Sequence, residues 1–223
     1  MPAPVVASVV SDWGTTSSLV IDKPSGVTPG DLLVIVAGLF GNNTFTPPSG
    51  FTQRVTSITT YSPDYVRSAI FDKVADGSEG ADFTIGASAS TDIRASILRV
   101  TGADPAAPFD SSANVSSSNY VQEKNIPSLT TSGPDRLLVA VQQRWYTGLT
   151  TEPAGWTIIT EDYQTSHSSW YKTQAAAGAS GQTDFNQSGV WDLFATSVAS
   201  YAFAPEVPAR GRPAGWRRSM GLR

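Results

Sequence analysis

The 223-residue sequence contains no cysteine, which excludes disulfides and thiolate metal sites, and no apolar run in it reaches the about 18 residues that a membrane-spanning helix needs. Its formal net charge is −4, but residues 206–223 carry +4 and the remaining body therefore −8, which argues against nucleic-acid binding through a basic face. Gly, Pro, Ser and Thr abound and helix-forming runs of Ala, Leu, Glu and Lys are missing, so strands joined by turns are expected.

The first residues, "MPAPVVASVV", hold neither a basic segment nor an uninterrupted apolar one, so no signal peptide is expected, and the chain is expected to be made and assembled in a cytoplasm. Residues 31–39 form an apolar run rich in Val and Leu, as a buried strand requires. "TPPSGFT" (46–52) then reads as a tight corner, because Pro presets one φ, Gly accepts a positive φ, and Phe51 opens the next strand while capping the core. Tyr65 to Lys73 predicts a strand running into a turn at Gly77, and Asp82 to Ile85 and Arg94 to Val100 complete a first set. The Pro- and Ser-rich stretch 102–125 either separates two domains or carries the chain across one sandwich.

A second set follows: an apolar run at 136–145, the phrase "TEPAGWT" (151–157), a strand from Ser169 to Gln174 and another within Asp192 to Phe203. It repeats the first in order. "PDRLLVAV" (134–141) lies over "PGDLLVIV" (29–36), and "TEPAGWT" over "TPPSGFT", both at an offset of 105. "YKTQAAAGASGQTDFN" (171–186) answers "FDKVADGSEGADFT" (71–84), and "ATSVASY" (195–201) answers "RASILRV" (94–100). Two copies are too few for a solenoid. Each half offers about five or six strands and would leave apolar faces bare, so the halves are expected to cover each other.

The fold class read here is all-β, an antiparallel, jelly-roll-like β-sandwich over 1–205 formed from two internally duplicated halves (about 15–104 and 128–205) joined by a crossover at 105–127. An extended basic arm, 206–223, follows. Pro208, Gly211, Pro213 and Gly215 disfavour regular structure in that arm, and Trp216 with Arg210, Arg212, Arg217 and Arg218 suits docking onto carboxylates of a partner.

Catalytic constellations are thin. His167 is the single histidine and is read as a polar loop residue, since no nucleophile elbow accompanies it. Asp72, Asp76, Glu79 and Asp82 cluster as a glycosidase pair or a calcium site would, but they read as a solvated hairpin end. The N-x-Ser/Thr triplets at Asn42, Asn114 and Asn186 carry no meaning without a secretory route. No cofactor and no metal is expected. The aromatics divide two readings. Trp145, Tyr146, Trp170, Tyr171 and Trp191 either pack the core or present rings on which apolar sugar faces stack. On strands, each Trp-Tyr pair sends one ring to each face, so one ring of each pair is expected outside.

Gly30-Asp31 before an apolar strand, Pro48 to Thr52, Lys73 to Gly77, and Val100 to Pro105 ahead of a Ser-rich crossover together resemble β-sandwich structural proteins of phages that infect actinobacteria, of the minor tail type. They also look like domains of bacterial surface proteins. The likeness spans most of residues 15–205. It implies a non-enzymatic virion component assembled in the host cytoplasm, meeting other virion proteins through its arm and forming a homo-oligomer. A contact with host surface glycan fits that setting, with no nucleic-acid partner and no membrane insertion. A capsid decoration protein and a carbohydrate-binding module are the alternative readings.

Overall fold

The computed structural model describes residues 4–145, 153–162, 166–186 and 191–203. Every element among them is a strand. The first six are β1 (Val5–Asp22), β2 (Leu32–Phe40), β3 (Phe45–Thr46), β4 (Thr52–Ile58), β5 (Val66–Val74) and β6 (Asp82–Thr101). They form one antiparallel sheet in the order β1-β6-β2-β5-β4, with β3 added to β6. The rest are β7 (Phe109–Ser116), β8 (Glu123–Ile126), β9 (Thr130–Thr131), β10 (Arg136–Arg144), β11 (Thr157–Asp162), β12 (His167–Gln174), β13 (Gly178–Ala179), β14 (Thr183–Asn186) and β15 (Phe194–Tyr201). Here β7-β15-β10-β12-β11 make the second sheet, while β8 pairs β14 and β9 pairs β13.

Both sheets therefore place corresponding strands in the same order. Their registers also correspond. Ile35 of β2 lies opposite Phe71, and Ala140, 105 residues on, lies opposite Trp170. The strand pairing thus sets Phe71 beside Trp170 as equivalents, one residue away from the Tyr171 that the sequence comparison places there. The edge strands β4 and β11 each carry a bulge at the same place, between Gln53 and Val55 and between Ile158 and Thr160.

The continuous apolar run of β2 is buried on both faces because each face meets a different core. Leu32, Val34 and Val36 point inward, onto Leu137, Val139, Val141 and Tyr201 of the second sheet. Leu33, Ile35 and Ala37 point outward and are covered by Leu19, Ile21, Phe83 and Ile85. These come from the far halves of β1 and β6, which are long enough to leave the sheet and return over its outer face. On the second sheet the outward residues Leu138, Ala140, Trp170 and Val198 are covered by Ile126, Leu129 and Trp156. Each half therefore closes its own outer face and exposes only the inner one to the other half. A fully buried Leu, Ile or Val contributes about 1.5–3 kcal/mol, so three such layers dominate the stability of the fold.

The twice-written phrase is a corner in both places. Phe51 N–H donates to Pro48 O and Trp156 N–H to Pro153 O, each at 3.0 Å. Gly50 and Gly155 have φ of 81° and 78°, a conformation that other residues adopt only with strain. Phe51 and Trp156 then close the two outer cores.

The stretch read as a crossover is in fact structured: β7 is the edge strand of the second sheet, and β8 covers its outer face. Its Ser-rich sequence hides this, since an edge strand pairs on one side and needs few apolar residues. β1 likewise starts at Val5, ten residues before the expected first half.

Gly38 lies inside β2 and faces the second sheet, where a Cβ would stand 1.9 Å from Gln143 Oε1 and 2.9 Å from His167 Nδ1. The missing side chain is what lets those two buried groups enter. Gly38→Ala is expected to cost about 1–3 kcal/mol by forcing Gln143 from a filled slot, which urea unfolding followed by circular dichroism will measure.

Candidate functional site

His167 is not a loop residue. It opens β12 and is buried between the sheets, with Nδ1 3.2 Å from Gln143 Oε1. Nor is the carboxylate cluster uniformly solvated. Asp72 is buried on the inner face of β5, where both its oxygens accept from Arg54 Nε at 2.8 and 2.9 Å. Burial raises its pKa against the opposing pull of Arg54, and burial together with the Asp72 carboxylate raises that of the Tyr201 hydroxyl. Asp76 and Glu79 do form a hairpin end: Glu79 accepts from Asp76 N and Gly77 N and pairs with Lys73 at 2.9 Å. Among the described residues no three His, Cys, Asp or Glu side chains gather as a metal site would require.

The aromatic residues separate cleanly. Trp170 is 0 % exposed, because the outer face on which it stands is itself covered. Tyr171 points the other way and packs half-buried on the inner core. Trp145 is half-buried, edge-on to Phe40 with ring centroids 5.7 Å apart. None of these three offers a free platform to a sugar. Tyr146 lies outside the described residues, as do Arg210, Arg212, Trp216, Arg217 and Arg218. Of the four ring candidates among the described residues, Trp191 alone is strongly exposed, at 61 %.

Trp191 stands over an open groove of about 550 Å³. Its other walls include Ser118, Asn119, Gln122, Glu123 and Asn125, with Phe194 also lining it. The backbone next to the ring is held in place through its neighbour. Asp192 is fully buried, exchanges two 2.9 Å backbone hydrogen bonds with Val121, and accepts from Trp145 N through Oδ1 at 3.1 Å. Ser117 fixes the floor by accepting from Phe194 N at 2.9 Å. Asn125 Oδ1 is buried with no hydrogen-bond partner among the described residues. One exposed aromatic face beside hydroxyl, amide and carboxylate groups is an arrangement that orients a polyhydroxylated ligand, since the ring takes a C–H face and the polar groups take hydroxyls. Sequence reasoning missed the polar wall, because it comes from the stretch read as a crossover.

Beneath the groove, Lys124, Arg144 and Asp192 are buried together. Burial pushes the Lys124 pKa down, Asp192 holds it up, and Arg144 pushes it down further. Comparison with protein-family models, with curated proteins and with solved structures finds no match.

Proposed function

We propose that the chain is a non-enzymatic structural and adhesive component of a phage virion, of the minor tail or tail-tip kind, that contacts host surface glycan through the Trp191 groove. In this reading the jelly-roll-like sandwich arises by internal duplication, a view supported by matched strand orders and bulges 105 residues apart. The arm residues Arg210, Arg212, Trp216, Arg217 and Arg218 dock it to other virion proteins, and identical copies meet around the symmetry axis of the particle. No cofactor enters.

The observation that carries the adhesive part is the exposed Trp191 ring beside a polar wall. The particle part rests on the sequence likeness. Immunogold labelling of intact particles with antibody against residues 1–205 tests the latter: gold at the tail supports the proposal, gold over the head moves the protein to capsid decoration, and none on any particle overturns it. For the adhesive part, Trp191→Ala is expected to weaken co-sedimentation with host envelopes about tenfold or more, with melting unchanged. Equal retention by both proteins removes the groove from the function.

A further inference from the structure

We infer that a second binding site, shaped for a single neutral pyranose residue, lies in the seam between β1 and β11. This inference is independent of the particle reading and of the Trp191 groove. The two sheets meet along two lateral seams, β4 against β7 and β1 against β11. The matched registers make these seams equivalent, so each serves as the control for the other.

The β4/β7 seam is shut. Ser57 Oγ donates to Val115 O at 2.8 Å, Ser68 and Ser197 share a 2.9 Å hydroxyl contact, and the Arg54 guanidinium lies 4.7 Å over the Phe109 ring. The β1/β11 seam is clasped by three hydroxyls, Ser11, Ser96 and Thr160, each pair 2.8 Å apart. Beyond this clasp it opens into a cleft of about 260 Å³, lined by Ser11, Asp12, Trp13, Arg94, Thr160 and His167.

The strand registers show what changed. Trp13 lies opposite Arg94 as Ser116 lies opposite Ala195, and Gly38 lies opposite Ser68 as Gln143 lies opposite His167. The closed seam thus has Ser116, Ala195 and Ser68 where the open one has Trp13, Arg94 and His167. Three large, functionalised side chains replace three small ones at one place, and they line one cleft.

The chemistry of that cleft selects the ligand. Trp13 is 59 % exposed on a strand edge. The Arg94 guanidinium lies 5.1 Å over its ring and is itself held by Asp92 at 2.7 Å, which fixes the ring plane. Asp92 balances the charge of Arg94, so among the described residues lining the cleft Asp12 is the carboxylate left over, and an anionic ligand gains nothing. An apolar ring face, a carboxylate and hydroxyls in a space of this size fit one sugar ring better than an extended chain.

Saturation-transfer NMR on the full chain with the methyl glycosides of glucose, galactose, mannose and N-acetylglucosamine is the test. Transfer to at least one glycoside is expected, with affinity falling about tenfold or more in Trp13→Ala. In the wild-type protein that sugar also shifts the Trp13 indole N–H resonance, identified by its disappearance in Trp13→Phe, so the result stands even if Trp13→Ala folds poorly. Absence of transfer from the folded protein to any of the four overturns the inference. Transfer that survives Trp13→Ala and vanishes in Trp191→Ala also overturns it, and leaves the Trp191 groove standing.

Discussion

Trp170→Ala lowers the free energy of unfolding by about 3–5 kcal/mol, whereas Trp191→Ala changes it by no more than about 0.5 kcal/mol. Both residues belong to the same ring-rich half of the chain, and the difference follows from where the strands send them. Trp170 stands on the outer face of β12, paired with Ala140, and shares a core with Leu138, Val198, Ile126 and Trp156. Removing its ring opens a cavity that a short covering ribbon has few contacts to refill. Trp191 sits outside any strand, and its ring faces water. Urea unfolding monitored by far-ultraviolet circular dichroism measures both variants under one set of conditions. A loss below about 1 kcal/mol for Trp170→Ala would show that its outer face is open, and would return Trp170 to the ligand-binding candidates.

Much of this was legible in the sequence. The runs at β2 and β10, and the repeated Pro-x-Gly-aromatic corner, signal buried strands and turns by residue type alone. The aromatics were harder, because ring identity says nothing about the face a ring occupies. The repeat itself holds the missing signal. Trp145 stands where the first half has Phe40, Trp156 where it has Phe51, and Trp170 where it has Phe71. An aromatic present in both halves serves packing, whichever aromatic it is. Trp13 has Ser116 as its equivalent, so it has no packing role common to both halves. Ranking tryptophans by the absence of an aromatic equivalent brings out Trp13 beside Trp191, which lies over Ser90, and counting them per half passes over Trp13. The polar wall beside Trp191 gave no such signal, since Ser, Asn and Gln in an edge strand and its covering ribbon read as a linker.

Asp192→Ala is expected to cost about 3–5 kcal/mol, comparable to the loss of the largest core ring. Asp192 is fully buried, as are Lys124 and Arg144, and its carboxylate favours the Lys124 cation that burial and Arg144 disfavour. Removing that carboxylate leaves the Lys124 cation desolvated without the charge that favours it, and takes one acceptor from Trp145 N–H. Lys124→Met, which removes the cation that burial and Arg144 both disfavour, is expected to be neutral or to stabilise by about 1 kcal/mol or more. Combined with Asp192→Ala, it restores part of the loss, a non-additivity that unfolding of the four proteins reads directly. The pH dependence has a defined sign. The folded Lys124 pKa lies below its ordinary value of 10.5, so at pH between the two the unfolded chain binds the extra proton. Stability from this group therefore rises as pH increases through that window, and the penalty persists in full below it. Lys124→Met removes this rise. Asp192→Ala widens the window, because the carboxylate that held the Lys124 pKa up is gone. An Asp192→Ala protein as stable as the parent, with the same pH slope, would mean that Asp192 does not compensate the buried Lys124 cation.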